Sequence, residues 1–262
     1  MARSNFDACM AEVFRHEGGF VNHPRDPGGA TNLGVTHATL RAWRGRPVSV
    51  EDVRNLSRDE AKAIYRARYW DAVRGDELPV GLDLVTFDPA VNSGPARGAR
   101  WLQKALGVTA DGRVGPITVD AAQQAAPVAT IKDACKRRMG FLRGLRTWDA
   151  FGRGWSRRVA SVEAVSVRMA VEALGEQPRE VLVQGERDAQ AKAAREGQAA
   201  GGAAASGVAG GGGAATLSDL PAWGWIGLVV LIAVVVVVLM GQRRHDLDRA
   251  DAYQNAALQV RP

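Results

Sequence analysis

The sequence predicts a mainly α protein: a helical globular region up to residue 183, a Gly/Ala-rich linker over 184–218, a single apolar helix over 219–242 and a short basic tail over 243–262. Three observations carry this. Apolar residues recur at helical spacing while strand-like alternation is scarce, helix-start and helix-stop residues punctuate the first two thirds of the chain, and one uncharged stretch near the end exceeds any ordinary strand.

Phe6, Cys9, Met10, Val13 and Phe14 form the apolar stripe of a first amphipathic helix. SRDE at Ser57–Glu60 reads as a capping box ahead of AKAIYRARYW, with a serine oxygen for the third amide and a glutamate reaching back. Pro79 opens a further helix that Gly94 ends, and Pro89 is expected to kink or divide it, because proline lacks the amide and crowds the preceding turn. In ARWLQKALG, Trp101, Leu102, Ala105 and Leu106 share a side and Gly107 is the stop. Pro116 and Pro127 suit first helical positions, and Val159, Val162, Val165, Met169 and Leu174 make a last amphipathic helix.

The stretch QGERDAQAKAAREGQAAGGAAASGVAGGGGAATLS begins polar, in a part open to a helical reading. It then turns to Gly and Ala, with only Val208 and Leu217 as larger apolar side chains, a composition for a flexible tether. No charge occurs from Leu220 to Gln242, and WIGLVVLIAVVVVVLMG is nearly pure hydrocarbon, matching the roughly 20 residues of a bilayer-spanning helix. Trp223 and Trp225 stand where an interfacial aromatic belt belongs. Arg243, Arg244 and Arg249 follow the span, while the twenty residues before Leu220 hold no Lys or Arg. The expectation is a single-pass membrane protein with a cytoplasmic C-terminus and an external globular region. MARSNFDACMAEVFRHEGG contains no apolar run of signal-peptide length, so no cleaved export signal is expected.

A balance of 34 Lys and Arg against 28 Asp and Glu suits an anionic partner: nucleic acid, a membrane surface or a wall polymer. Positive charge is densest in KRRMGFLRGLR, but no nucleic-acid fold motif accompanies it, and nucleic acid is not expected as a partner. Cys9 and Cys135 match neither a disulfide framework nor zinc-ligand spacing and read as buried thiols. His16, His23 and His37 invite a metal reading, but Phe20 stands where the second histidine of a His-Glu-x-x-His helix belongs. No metal and no other cofactor is expected.

The densest local signal is HEGGFVNHPRDPGGATNLGVT, residues 16–36. Gly18, Gly19, Gly28, Gly29 and Gly34 let the backbone turn sharply or approach a ligand, so the segment is neither plain helix nor plain strand. Cleavage of a glycosidic bond needs a proton donor at the leaving oxygen and a second group that stabilises the transition state or activates water. Glu17, at the end of an apolar helix between Phe14 and Phe20, suits the first role; Asp26, in a Gly-Pro turn, suits the second or serves only its own turn.

That motif resembles the signature of glycoside hydrolase family 108, phage-type N-acetylmuramidases, whose Glu-Gly-Gly glutamate is the catalytic acid; the role maps onto Glu17. The resemblance continues through YWDAVRGDELPVGLDLVTFDPAVNSG and through ARGARWLQKALGVTADGRVGPITVDA, which is similar to the family's companion peptidoglycan-binding region. It implies a lysozyme-like fold with a catalytic region over 1–94 and a helical wall-binding region over 95–183 that completes it. Some T4-type phage lysozymes space Glu, Asp and Thr by eight and five residues. Here Asp26 keeps the first interval, but Thr31 follows Asp26 after four residues, leaving both as candidates for holding water. Asn22 and the glycines are further candidates for sugar contact. Tyr69 and Trp70 could stack on a sugar ring or serve the core, and Asn92 could bind an N-acetyl group or end its helix. Pro89 departs from the family, which carries an aromatic residue after Phe-Asp.

The expected function is hydrolysis of the β-1,4 bond between N-acetylmuramic acid and N-acetylglucosamine in peptidoglycan; the resemblance implies phage or prophage lysis with a holin as partner, from the bacterial inner membrane with the catalytic region acting on the periplasmic wall. Two rivals stand beside it: a lytic transglycosylase, which also uses one glutamate, and a non-catalytic wall-binding anchor held in the membrane.

Overall fold

A computed structural model describes residues 5–22, 29–209 and 222–260, with side chains described outside 206–228. The protein is mainly α. Its elements in chain order are α1 (Phe6–His16), a hairpin of β1 (Thr31–Asn32) and β2 (Val35–Thr36), α2 (His37–Arg44), α3 (Val50–Arg54), α4 (Arg58–Tyr65), α5 (Leu82–Ser93), α6 (Pro95–Leu106), α7 (Pro116–Gln124), α8 (Pro127–Arg143), α9 (Trp148–Ala173), α10 (Pro178–Ala209) and α11 (Ala222–Leu258). They form two compact units: residues 1–152 with 165–176, and residues 153–164 with 177–262.

The first unit is organised around α5, whose residues from Leu82 to Ala90 are all buried. Trp70 meets Phe87 of this helix and Phe6 of α1 edge-on, with ring centroids 5.2 and 5.3 Å apart. The expected opening at Pro79 is displaced: α5 begins at Leu82, and Pro79 supplies only a carbonyl to the amides of Leu82 and Asp83. Nor does Pro89 divide the helix, which runs on to Ser93. Gly98 of α6 lies against this stretch, where a Cβ would stand 2.7 Å from the Thr86 carbonyl oxygen, so glycine there lets two backbones approach. Pro95, Pro116 and Pro127 each occupy a first helical position.

Asp83 caps α5, its Oδ1 accepting from the amides of Gly81 (2.8 Å) and Leu84 (2.6 Å) and its Oδ2 from the Asn5 side chain (3.0 Å). Burial pushes this carboxyl up from 3.8 to about 6, against those hydrogen bonds, which favour the charged form. Folded Asp83 therefore holds its proton over a range in which the unfolded chain has released it. The resulting stability is complete below pH 3.8 and is lost as pH rises through about 6. A loss of about 3 kcal/mol at most is expected over that window. Asp83→Asn, which keeps the acceptor oxygen, should flatten this part of a plot of melting temperature against pH.

At the start of α4, Ser57 accepts from the Glu60 amide as expected, but the reciprocal arm of the box is diverted. Glu60 instead receives Arg44, whose Nε and Nη2 donate at 2.8 Å each while Nη1 reaches Asp52 at 2.7 Å. One guanidinium thus ties α2, α3 and α4 together. A complete capping box stands instead at Ser49 and Asp52, opening α3.

The second unit departs most from expectation. The residues read as a tether are helical through Ala209, in α10, so residues 184–209 are not flexible coil. The reason is a four-residue repeat of small side chains. Ala189 and Ala193 are buried, a Cβ at Gly185 would stand 2.7 Å from the Tyr253 ring, and one at Gly197 would stand 3.1 Å from Arg243 Nε. Small residues at this spacing bring one helix close against another. The short basic tail is also helix through Leu258, and His245, Asp246, Ala250, Tyr253 and Ala256 of α11 are buried. Among the described residues no helix is long and apolar enough to cross a membrane. The expected span begins at Leu220, outside the described residues. Its described side chains, from Val229 onward, include exposed Val230, Leu231, Val234, Val237 and Met240.

Candidate active site

Glu17 is where α1 stops. The backbone turns there from helical to extended (φ −87°, ψ 139°), while the Glu17 amide still donates to the Val13 carbonyl at 3.2 Å. The helix end is held by buried Glu12, which receives His16 Nε2 at 3.0 Å and Arg15 at 3.3 Å. The Glu17 side chain is half-buried, and after it Gly18 and Gly19 are exposed, with no heavy atom within 4 Å of where a Cβ would stand. Neither glycine adds a side chain that would crowd the helix end at Glu17.

The chain then runs extended, and Val21 exchanges two backbone hydrogen bonds of 2.8 Å with Thr31. Thr31 also pairs with Thr36 across the hairpin, and Asn32 with Val35. The two residues between the strands, Leu33 (φ 50°) and Gly34 (φ 74°), are both left-handed, the signature of a tight type I′ turn. This turn meets Glu17: a Cβ on Gly34 would stand 2.7 Å from Glu17 Oε2 and would also collide with the Tyr65 hydroxyl. The Tyr65 hydroxyl donates to the Leu33 carbonyl at 3.0 Å, fixing the turn from below. Asn32 anchors the hairpin to α3, its side chain donating to the carbonyls of Val53 (3.1 Å) and Arg54 (2.8 Å).

Gly34→Ala is accordingly expected to cost about 1–2 kcal/mol from the left-handed backbone. Its larger effect falls on the Glu17 carboxylate, which must move. A loss of activity on the order of 10²-fold is expected, beyond what the stability change explains. Wall-clearing rates measured beside melting temperature check this.

The predicted residues fall into several groups. Glu17, Gly18 and Gly19 adjoin one another at the helix end, and Thr31 sits on the strand bonded to the chain that leaves them. The Thr31 hydroxyl donates to the Gly29 carbonyl at 3.5 Å. Asn22 is exposed, and Gly29 takes φ +68° with open space around it. Asp26 and Gly28 lie outside the described residues. Tyr69 is half-buried, its ring 5.6 Å from that of Tyr65, which places it near the turn. Trp70 is a correction. It is fully buried among Phe6 and Phe87, with its indole N–H on Asp76 at 3.0 Å, and so belongs to the core rather than to a sugar-stacking surface. Asn92 is exposed in the last turn of α5, accepting from Ser93, and no described contact brings it to Glu17. Phe14 packs on Tyr65, and Phe20 lies under the Arg54 guanidinium at 4.1 Å. The sequence reading missed Tyr65, although it stands one helical turn before Tyr69. Among the described residues no group of three His, Cys, Asp or Glu side chains is arranged to hold a metal ion.

Residues 10–94, which contain Glu17, the hairpin and Tyr65, match glycosyl hydrolase 108, and residues 97–160 match a predicted peptidoglycan domain. The solved structure of Brucella abortus SagA is 46% identical, over 64% of this chain and 97% of that one, with a TM-score of 0.58. The chain belongs to glycosyl hydrolase family 108. No curated protein matches it. This family 108 hydrolase thus joins a glycosidase region, with Glu17 under its hairpin turn, to a peptidoglycan-binding region that begins at α6. Neither matched region extends past residue 160.

Proposed function

We propose that this hydrolase is an N-acetylmuramidase that cleaves the β-1,4 bond between N-acetylmuramic acid and N-acetylglucosamine, with Glu17 protonating the leaving oxygen. What supports this is one half-buried carboxylate at a helix end, followed by exposed Gly18 and Gly19 and set against the tight turn at Leu33 and Gly34. A general acid must be held within hydrogen-bond reach of the leaving oxygen, and a helix end clamped by a tight hairpin does that without closing the site. Thr31, with Asp26, is assigned to holding the water, and Tyr69 to the edge of the sugar site. Residues 97–160 hold the wall polymer, their cationic side chains facing its anionic groups.

The uncharged, apolar sequence from Leu220 to Gln242 supports a membrane-held enzyme working on the wall beside its bilayer, and the family resemblance supports a role in phage or prophage lysis alongside a holin. The uncovered valines and leucines from Val229 to Met240 are what a lipid-facing helix presents. The test of the chemistry is mass spectrometry of fragments that the full-length protein, in detergent, releases from purified peptidoglycan. Reducing muramic ends are expected. Fragments with 1,6-anhydro ends would make it a transglycosylase, and binding to sacculi without release would make it a wall anchor.

A further inference from the structure

Tyr65 is the last residue of α4 and is almost fully buried. Its ring meets that of Phe14 edge-on at 5.9 Å and lies 5.6 Å from that of Tyr69. A phenylalanine would fill the same space and make both contacts. What tyrosine adds is one hydroxyl, and a hydroxyl taken out of water needs a partner, which here is the Leu33 carbonyl at 3.0 Å. That carbonyl is not one the hairpin uses. Leu33 and Gly34 are the two central residues of the turn, so the peptide between them takes no part in pairing β1 with β2.

The turn is strained where Tyr65 holds it. Leu33 takes φ 50°, a left-handed conformation that a leucine rarely adopts, and such backbone persists only where its surroundings fix it. Two side chains do so. Asn32 ties the strand before the turn to the Val53 and Arg54 carbonyls of α3, and Tyr65 donates to the turn itself. The helix that delivers Tyr65 is in turn joined to α1 by Lys62 on Asp7 at 2.7 Å and to α2 by Arg44 on Glu60. The hydroxyl is therefore carried by a helix bound to the one that ends at Glu17.

The same hydroxyl meets the acid across the turn. A Cβ on Gly34 would stand 2.2 Å from the Tyr65 hydroxyl oxygen and 2.7 Å from Glu17 Oε2, so both oxygens close on one spot that only the glycine hydrogen can occupy. Resting on the reading of Glu17 as the general acid, we propose that Tyr65 is a positioning residue for that acid: its bond to the Leu33 carbonyl sets the place of the Gly34 turn, and the turn sets where the Glu17 carboxyl stands. In the reaction Glu17 passes its proton to the glycosidic oxygen as the bond from that oxygen to the anomeric carbon breaks, and the oxygen leaves as a hydroxyl. Tyr65 transfers nothing, and its own hydrogen stays directed at Leu33. Without that bond the central peptide of the turn loses its hold, and Glu17 loses the wall that defines its position.

The test is steady-state cleavage of soluble peptidoglycan chains by the full-length protein in detergent, at a temperature where circular dichroism shows parent and variants fully folded. Tyr65→Phe keeps both ring contacts and is expected to lower kcat about tenfold with KM within about twofold of the parent, because the missing bond serves the reacting geometry rather than sugar binding. A hydroxyl that only supports the fold would lower the melting temperature and leave kcat at that temperature unchanged, which would overturn the proposal. A raised KM with the parental kcat would also overturn it, moving Tyr65 to sugar binding. The route is tested by combining Tyr65→Phe with Gly34→Ala, which disturbs Glu17 through the same turn. The combined loss is expected to fall short of the product of the two single losses. Losses that multiply would mean that Tyr65 acts elsewhere. Glu17→Gln in the same assay separates the two readings: parental cleavage by Glu17→Gln removes the acid itself, whereas a silent Glu17→Gln beside a parental Tyr65→Phe removes only the positioning role.

Discussion

Glu17→Gln is expected to lower the release of peptidoglycan fragments by about 10²- to 10⁴-fold, the contribution typical of one positioned proton donor. The fold should survive the change. The hydrogen bond that ends α1 comes from the Glu17 backbone amide, not from its side chain, and an amide of the same size keeps clear of the Gly34 turn. What is lost is the transferable proton at the helix end. Fragment release with reducing-end quantification, run beside circular dichroism melting, separates the two effects. A variant that melts like the parent and still cuts at the parental rate would remove Glu17 from the chemistry and shift the search to Asp26. A variant that releases nothing yet still sediments with sacculi would show that binding through residues 97–160 persists without cleavage.

The site was legible to the extent that its information is local. Glu17, the glycines and Thr31 fall within eighteen residues, and a turn that needs left-handed backbone at Gly34 leaves a glycine in the sequence. Tyr65 was not legible in this way. It reaches the turn from α4, over 30 residues away, through a hydrogen bond to a carbonyl, and a backbone carbonyl has no sequence signature. Trp70 and Tyr69 are neighbours of similar character, but the π-helical turn over Arg66–Trp70 sends one into the core and leaves the other half-buried, a geometry that composition does not register.

The polar first part of α10 was open to a helical reading; its Gly/Ala-rich continuation, read as a flexible tether but helical through Ala209, departs for a different physical reason. Amphipathic analysis looks for large apolar side chains at helical spacing, and Gly/Ala-rich sequence is read as flexible because isolated glycine-rich chains are. Gly185, Ala189, Ala193 and Gly197 do repeat every four residues. Their packing depends on close backbone approach to α11 and on the Lys192–Asp246 pair, so the signal lies in the partner rather than in the segment. Pro89 shows the converse. A local rule against proline inside a helix was overridden by burial on every side of α5 and by the close seat of Gly98.

Arg138→Met is expected to destabilise the protein by about 3–5 kcal/mol, the cost of removing one partner of a buried ion pair. Arg138 Nη1 donates to Asp88 Oδ1, with the Asp88 side chain fully buried and that of Arg138 only 3% exposed. The substitution keeps much of the side-chain volume, so the loss falls on the charge that Asp88 faces rather than on a cavity. Replacing both, as Asp88→Leu with Arg138→Met, should recover a large part of it, because two apolar groups of similar volume do not carry the desolvation of two ions. Urea unfolding midpoints of the two variants and the parent make the comparison; for a unit of this size the single variant should melt about 10 °C lower. The consequence reaches the active site. Asp88 belongs to the matched glycosidase region and Arg138 to the peptidoglycan domain, so the pair joins α5 to α8 across the boundary at residues 94–97. The wall-binding region is thus part of the core on which the Glu17 hairpin stands, and Arg138→Met should reduce wall clearing at temperatures well below those at which the parent unfolds. If the single variant keeps the parental urea midpoint, the two matched regions are energetically independent despite the shared contact.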